Sequence, residues 1–283
     1  METKAAIGTA GIRRKNIERK NYRQVVGIIA DMNKEVLLAV EHIKNARNQI
    51  ASAHAIEAML GDKSDYWDVY DSSSLDYDRT FGPISRNRSL VDILRATKEP
   101  VVVDFLASTA LVREMIGSYG INDQPAKPLG IAVGLRDQRT TEEREVDCAL
   151  NVHYVSGNIF NLDTWGEIEK KLDGKKASLI VERGLGALTD MPRNPVLFRD
   201  IVCKLWDMLS SDNGEMFLQF PNVAELTDYV EDLMSWQGLL IESGIDCTFS
   251  YGLMPMGRIS KQKTSPENLP FLKLSQLTMP YND

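Results

Sequence analysis

The sequence predicts an α/β protein with a doubly wound, mostly parallel sheet of seven strands, a terminal antiparallel strand pair and an N-terminal helical extension. After Pro100, short β-branched apolar runs alternate five times with segments of helical pattern. Continuous apolar strands separated by helices are typical of a parallel sheet that is covered on both faces. The last two strand runs have no helical pattern between them, which is typical of antiparallel neighbours.

Length and composition agree with one sizeable α/β core and an extension. The chain has 283 residues, of which 43% are hydrophobic and 26% are charged, as in ordinary globular proteins. The change of pattern towards Pro100 predicts two regions. Residues 1–85 form the N-terminal helical extension with an acidic-aromatic loop, and residues 86–283 form a Rossmann-like domain.

Composition also weighs against several classes of function. No apolar run approaches the ~20 residues that span a bilayer, and the first residues lack the apolar centre of a secretory signal. The three cysteines stand far apart without a C-x-x-C pair. They indicate free thiols in a reducing compartment, which we expect to be the cytoplasm. A net charge of −7 and a pI near 5.2 weigh against broad nucleic-acid binding, which depends on neutralising phosphates.

A long helix, or two consecutive helices, is predicted between Asn16 and Leu60. This stretch has no proline and a single glycine, Gly27, and its apolar or small residues recur at three-four spacing. They are Val25, Ile29, Met32, Val36, Ala39, Ile43, Ala46, Ile50, Ala53 and Leu60. Such a stripe must be buried. It packs either on the same helix of a second subunit, which predicts a homodimer through the N-terminal helices, or on its own domain as a lid over the strand ends.

An acidic-aromatic segment, DKSDYWDVYDSSSLDYDRTFGP, follows the helical pattern, which ends at Gly61. Alternating acids and aromatics can line a substrate entrance. A surface loop whose Tyr66, Trp67 and Tyr70 pack back on the domain is the more frequent arrangement, and we expect it here. A helix is predicted from about Ser89 to about residue 97.

The α/β units follow in order. Strands are predicted at VVVDFL, LGIAVGL, HYVSGNIF, ASLIVERG and GEMFLQFP, and then at IDCTFSYG and LPFLKLSQL. Helices are predicted between them, in the stretch to about Tyr119 and at RTTEEREVDCALN, DTWGEIEKKL, VLFRDIVCKLWDMLS and AELTDYVEDLMSWQGLLIESG. Right-handed crossovers then produce a doubly wound, Rossmann-like arrangement.

Five α/β units that end in a strand hairpin resemble the class I S-adenosylmethionine-dependent methyltransferase fold, whose last strand inserts antiparallel between its neighbours. The resemblance covers the chain from about Pro100 onwards. In that family the first strand ends in an acid and a glycine-rich turn, D/E-x-G-x-G. Here Asp104 supplies the acid, Leu106 and Ser108 stand where glycines are expected, and Ala107 is still small. The glycine motif is therefore degenerate.

The resemblance implies a cofactor site at the carboxyl ends of the first three strands, for S-adenosylmethionine and for its product, S-adenosylhomocysteine. The implied cofactor-binding residues are Asp104, Leu106, Ala107, Ser108, Asp137, Asn158 and Ile159. Asp137 would hold the ribose hydroxyls, although an acid after a strand is also a common turn residue. Asn158 and Ile159 would lie against the adenine, although an asparagine in a Gly-Asn turn also has a purely structural explanation.

The fourth strand ends at Glu182, and in open α/β sheets this end faces the ligand cleft. Glu182 is the candidate catalytic residue, because it could orient a methyl acceptor or take its proton. A structural ion pair with an arginine is the alternative. The N/D-P-P-Y/F signature of many enzymes that methylate nucleobase or glutamine nitrogens is missing here, which disfavours those substrates. No H-E-x-x-H motif is present either, and no metal site is predicted.

Three functions are compared at this point. The resemblance favours an S-adenosylmethionine-dependent methyltransferase with a small organic acceptor, because the extension and the acidic-aromatic segment would cover the cleft. The alternative is a catalytically inactive relative that keeps the fold as a binding or scaffold protein, which the degenerate glycine motif would explain. A nicotinamide-dependent oxidoreductase is disfavoured, since G-x-G-x-x-G is missing and the terminal strand pair does not fit.

Overall fold

The computed structural model describes residues 74–105, 108–118, 127–134, 136–157, 159, 161–182, 195–220, 227–251 and 255–271. Several predictions from the sequence fall outside these ranges. They concern the N-terminal helices, the side chains of Tyr66, Trp67 and Tyr70, and the site residues Leu106, Ala107 and Asn158.

Helices and strands alternate along the described chain. Two helices, α1 (Ser74–Phe81) and α2 (Leu90–Arg95), precede the first strand. The α/β units are β1 (Val101–Phe105), α3 (Ala110–Ser118), β2 (Leu129–Gly134), α4 (Thr141–Leu150), β3 (Val152–Ser156), α5 (Leu162–Leu172), β4 (Leu179–Glu182), α6 (Pro195–Met208), β5 (Gly214–Gln219) and α7 (Thr227–Glu242). They are followed by β6 (Asp246–Ser250) and β7 (Met256–Lys261).

Capping interactions set the bounds of α4, the helix that follows β2 in the chain. The Thr140 hydroxyl accepts a hydrogen bond from the Glu143 backbone amide (3.2 Å), and the Glu143 carboxylate accepts one from the Thr140 amide (2.9 Å). At the other end, Asn151 adopts a left-handed conformation with φ of 61°, as is common after the last helical turn. Its side-chain amide donates to the carbonyl of Pro128 (2.9 Å). These contacts fix where α4 begins and ends between β2 and β3 along the chain.

The strands form one seven-stranded sheet in the order β3-β2-β1-β4-β5-β7-β6. Strands β1 to β5 pair in parallel, whereas β7 pairs antiparallel with both β5 and β6. The predicted mostly parallel sheet with a terminal antiparallel pair is therefore confirmed. Because β7 lies between β5 and β6, the carboxyl ends of β1 to β6 all meet at the same edge of the sheet.

Two hydrophobic layers cover the sheet. The larger layer packs one face against α5, α6 and α7, each of which contributes a buried tryptophan: Trp165, Trp206 and Trp236. The other layer packs the opposite face against α1, α2 and α3. Successive residues of a strand point to opposite faces, and accordingly Val103 and Phe105 lie in the first layer and Val102 in the second.

The acidic-aromatic segment differs in part from the predicted loop. Its last residues form helix α1, in which Tyr77 and Phe81 are buried. The ring of Phe81 lies 5.4 Å from the ring of Phe217 on β5. We did not predict this helix, because the many acidic residues around its two buried aromatics leave no clear helical pattern of apolar residues.

The prediction for the seventh strand is wrong in position. We expected it at LPFLKLSQL, but β7 is Met256–Lys261. Leu269–Phe271 contains no strand, and the rest of the expected segment lies outside the described residues. Sequence reasoning missed β7 because its glycine and cations do not form an apolar run. In the structure Arg258 is buried against the carboxylate of Glu215 (2.6 Å). A Cβ at Gly257 would lie 3.0 Å from the Phe249 ring, so the glycine leaves room for that ring.

Candidate functional site

A sheet with this strand order, in which one antiparallel strand lies between β5 and the edge strand, is the class I methyltransferase fold. In open α/β sheets ligands bind outside the carboxyl ends of the strands. The candidate site is therefore the sheet edge at which β1, β2, β3 and β4 end, and it includes most of the residues predicted from the sequence.

Asp104 lies near the carboxyl end of β1 and is completely buried. Its register partners on the neighbouring strands are Ala132 and Val181. The hydroxyl of Tyr77, from α1, lies 3.4 and 3.5 Å from its two carboxylate oxygens, which is long for a hydrogen bond between oxygens. Sequence reasoning missed Tyr77, because nothing in the acidic-aromatic segment indicates which aromatic reaches the strand.

The turn after β1 leads directly into α3. The Ser108 hydroxyl accepts a hydrogen bond from the Ala110 amide (3.1 Å), and the buried Thr109 accepts one at its carbonyl from the Arg113 amide (2.8 Å). The amino end of α3 therefore stands at the same sheet edge as Asp104. Amides at such helix ends favour electron-rich ligand groups.

Asp137 follows the end of β2 and is held by Arg139. Its Oδ1 accepts hydrogen bonds from the backbone amide (3.1 Å) and from Nε (2.8 Å) of Arg139. Its Oδ2 accepts a hydrogen bond from Nη2 of the same residue (2.9 Å). The hydrogen bonds from Arg139 keep the pKa of Asp137 below its ordinary value. An ionised carboxylate has about four acceptor positions. The Arg139 contacts leave about one of them, on Oδ2, and the exposed Arg144 guanidinium lies 3.6 Å from that oxygen.

The turn after β3 is anchored to the core. Ile159 is buried in the larger hydrophobic layer, and its carbonyl accepts from the indole nitrogen of Trp165 (2.6 Å). The Trp165 ring lies 5.6 Å from the ring of Phe105 at the end of β1. The amide of Gly157 donates to the carbonyl of Gly134 (2.9 Å), which ties this turn to the end of β2.

Glu182 is the last residue of β4, and its side chain is 1% exposed. Its register partners are Phe105 on β1 and Leu218 on β5. In parallel strands, partners in register share a face, so the Glu182 side chain points to the face of Phe105. The side chain of Asp104 points to the opposite face. The structure thus brings the two acids to adjacent backbone positions and separates their carboxylates by the sheet.

A second acid near the end of β2 escaped the sequence analysis. Asp147 of α4 is completely buried, and it accepts from Nε of Arg113 (2.6 Å) and from Nη1 of Arg139 (3.0 Å). Nη2 of Arg113 also donates to the Thr109 hydroxyl (2.7 Å). In the sequence Asp147 belongs to the acidic pattern of a solvated helix, and no local signal distinguishes it from its exposed neighbours.

The donor chemistry of S-adenosylmethionine fits these acceptors. The cofactor carries an amino group and two ribose hydroxyls, and the carboxylates of Asp104 and Asp137 lie at the ends of the adjacent strands β1 and β2. Among the described residues, no cluster of three His, Cys, Asp or Glu side chains is arranged for a metal ion. In the same part of the chain, no helix combines the length and the hydropathy required to cross a bilayer.

No protein-family model matches this chain, and no curated protein sequence matches it significantly. Among matching solved structures is a protein assigned as a ribosomal RNA methyltransferase from Plasmodium falciparum, with 11% identity over 68% of this chain and 95% of that chain and a TM-score of 0.42. The fibrillarin pre-rRNA processing protein of Methanococcus jannaschii has 12% identity over 59% and 68%, with a TM-score of 0.36.

A third structure, from Listeria monocytogenes, is assigned as a class I S-adenosylmethionine-dependent methyltransferase. It has 11% identity over 92% of this chain and 95% of that chain, with a TM-score of 0.38. At such identities and scores, the fold assignment rests on the strand order and register of the sheet itself.

Proposed function

We propose that this chain is an S-adenosylmethionine-dependent methyltransferase that acts on a small organic molecule. The observation that supports the proposal is the pair of acids, Asp104 and Asp137, at the carboxyl ends of β1 and β2, in a sheet of this strand order. The amino end of α3 stands at the same edge.

The bound cofactor supplies an activated methyl group, and the protein has to align donor and acceptor. Alignment alone contributes ~7–11 kcal/mol to the lowering of such barriers. In our proposal the Asp104 carboxylate accepts a hydrogen bond from the amino group of the cofactor. Oδ2 of Asp137 accepts a hydrogen bond from one ribose hydroxyl. Leu106, Ala107, Ser108 and Asn158 are the further proposed cofactor-binding residues, and Ile159 supports the adenine position from the core.

Glu182 is proposed as the residue that orients the acceptor or takes its proton. It lies at the end of β4, two strand positions from β2 and directly beside β1. A buried carboxylate at this place can hold a hydroxyl or amine of the acceptor through a charge-assisted hydrogen bond. We further propose a cytoplasmic location, from the cysteine pattern, and a homodimer, from the apolar stripe before residue 60.

A catalytically inactive binding or scaffold protein is the second candidate. Two observations favour it: Arg139 occupies most acceptor positions of Asp137, and Leu106 replaces a glycine of the expected turn. The two candidates differ in whether S-adenosyl compounds bind and whether a methyl group is transferred.

Calorimetric titration of the purified protein with S-adenosylhomocysteine tests the proposal. We expect saturable 1:1 binding. The Asp104→Asn variant should bind about 10- to 100-fold more weakly, the loss typical of a hydrogen bond to a charged group. Circular dichroism controls for folding, and NAD⁺ serves as a nucleotide that should not bind. A titration of the unmodified protein without heat at millimolar ligand would contradict the proposal and favour the second candidate.

A further inference from the structure

Asp147 differs from the other acids of α4 in its surroundings. Six of the seven residues from Thr141 to Asp147 are polar or charged, but only Asp147 is buried in this helix. Each of its two oxygens accepts from a different arginine, Arg113 on α3 and Arg139 before α4. The Asp147 carboxylate therefore joins α3 to the segment before α4, beside a second ion pair between the two helices, from Arg113 to Glu143 (3.3 Å).

The contacts of Asp147 form a continuous path between the turns after β1 and β2. From the first turn, the Thr109 hydroxyl accepts from Arg113 (2.7 Å), which donates to Asp147 (2.6 Å). From Asp147 the path continues to Arg139 (3.0 Å), whose two remaining guanidinium nitrogens hold Asp137 (2.8 and 2.9 Å). Every link of the path is a hydrogen bond from an ionised arginine, and the links to Asp147 and Asp137 join two ionised groups.

The charge of Asp147 is maintained in spite of its burial. Burial alone would raise its pKa, but the hydrogen bonds from Arg113 and Arg139 outweigh that effect, so the pKa lies below the ordinary value of 3.8. At neutral pH the carboxylate is therefore ionised. It orients the Arg139 guanidinium, which also lies 5.1 Å from the centre of the Tyr154 ring. Without Asp147, Arg139 would keep its charge and lose one of the two carboxylates that orient it.

We propose that Asp147 is a positioning residue for the cofactor site, which acts by fixing Arg139 and, through it, the acceptor position of Asp137. This inference rests on the proposed function, because it assigns Asp137 to the ribose hydroxyls. Asp147 does not contact the ligand itself. Its effect on binding passes through Asp137, and that dependence can be measured.

The test is a double-mutant cycle of S-adenosylhomocysteine affinity, measured by calorimetry on the full chain. We expect Asp147→Asn to weaken binding about tenfold, within the range of couplings between side chains of one hydrogen-bond network. In an Asp137→Asn background the same change should have no further effect, because the residue that it positions is already altered. A purely structural role would weaken binding equally in both backgrounds.

The matched control is Glu215→Gln. Glu215 is likewise a buried carboxylate between two arginines, Arg88 (2.7 Å) and Arg258 (2.6 Å), but it lies at the amino end of β5, on the opposite edge of the sheet. This variant should lower the melting temperature and leave the affinity unchanged. If Asp147→Asn does not fold, Arg139→Lys replaces it. That variant keeps the charge but cannot hold Asp137 and Asp147 together, and it should show the same tenfold loss and the same dependence on Asp137.

The outcomes separate the two claims. Unmodified protein that binds no S-adenosyl compound overturns the proposed function and the positioning role with it. If the protein binds but Asp147→Asn or its substitute Arg139→Lys changes nothing, the positioning role alone is overturned. The same conclusion follows if the loss persists in the Asp137→Asn background, or if Glu215→Gln weakens binding as much as Asp147→Asn.

Discussion

Residue by residue, the candidate site is a set of acids whose surroundings differ sharply. Asp104 and Glu182 are both buried at the ends of adjacent strands but point to opposite faces, whereas Asp137 is partly exposed and held by an arginine. Acids in different surroundings take different roles, since burial and charged partners decide which of them can accept from a ligand. The proposed division of cofactor binding and acceptor orientation between them follows from that difference.

Replacing Glu182 with Gln should separate chemistry from binding. We expect turnover to fall about 100-fold or more, the contribution typical of a positioned acid or base. Affinity for S-adenosylhomocysteine should change less than about twofold, because Glu182 lies at the end of β4 and the proposed cofactor-binding residues follow β1 to β3. Steady-state kinetics with an acceptor and calorimetry measure the two quantities. Equal losses in both, or a loss in neither, would refute the role of Glu182.

His153 on β3 provides a test of linkage between pH and stability. Burial lowers its pKa, and the charges of Lys171 and Arg139 lower it further. As the pH falls below the ordinary value of 6.5, the unfolded chain binds the proton first, and stability is lost until the folded-state pKa is reached.

Between pH 7.5 and 5.5 the melting temperature should therefore fall more steeply for the unmodified protein than for His153→Gln. The difference is at most about 1.4 kcal/mol per pH unit, the limit for one proton. Thermal melts at matched ionic strength measure it. If the melting temperatures of the two proteins changed in parallel with pH, His153 would have the same pKa in the folded and unfolded chain, which would contradict the prediction.

At the scale of elements, the close packing of α3 on β2 depends on Gly130. A Cβ at this position would overlap Cγ1 of Val112 and would lie 3.2 Å from Cγ2 of Val152. Both the neighbouring strand and the helix therefore approach β2 more closely than an alanine allows. Because α3 begins in the turn that we assign to the cofactor, its distance from β2 also affects the candidate site.

Gly130→Ala should destabilise the protein by about 1–3 kcal/mol, as is usual when a well-packed core receives an extra group. Gly166→Ala is the matched control. Gly166 lies within α5, and a Cβ there meets no atom within 4 Å. That change should stabilise by about 0.5–1 kcal/mol. Urea unfolding followed by circular dichroism measures both, and a neutral Gly130→Ala would mean that α3 can move away without cost.

The elements that sequence reasoning located are those with a strong local pattern. The apolar runs of β1, β2 and β4 are readable, because burial on both faces leaves a direct trace in the sequence. Strand β7 left no such trace. Its Arg258 is buried through Glu215 and Asp246, which lie 43 and 12 residues earlier in the chain.

The same limit applies to the site. Asp104 and Asp137 were predicted from the family resemblance and Glu182 from its position at a strand end, and the structure places each of them at or near the expected edge. Tyr77, Arg139 and Asp147 were not singled out. Their contacts join elements that are distant in sequence, and single-residue patterns carry no information on such pairings.

At the scale of the whole molecule, the open question is the apolar stripe of residues 25–60, which lies outside the described ranges. Burying one such side chain contributes ~1.5–3 kcal/mol, so exposure of the stripe would favour association. The described domain already has helices on both faces of its sheet. We therefore expect a two-fold partner to cover the stripe.

Size-exclusion chromatography with light scattering should give the mass of a dimer of 31.8 kDa chains. Val36→Glu together with Ile43→Glu should convert it to a monomer, and Asn45→Glu with Asn48→Glu adds the same charge off the stripe as a control. A stable monomer of the unmodified protein at micromolar concentration would refute the dimer. A dimer that survives both stripe changes has its interface elsewhere.

The position of β7 has a consequence for synthesis on the ribosome. Strand β6 pairs with β7 and with no other strand of the described sheet, yet β7 is made after it. At 5–20 residues per second, the nascent chain holds an incomplete sheet for about a second or more before β7 emerges. During that interval one edge of β5 lacks its pairing strand, and β6 has no strand with which to pair. Strands β6 and β7 must then join the sheet together. Until they do, the unpaired edge of β5 is the place where nascent chains can associate.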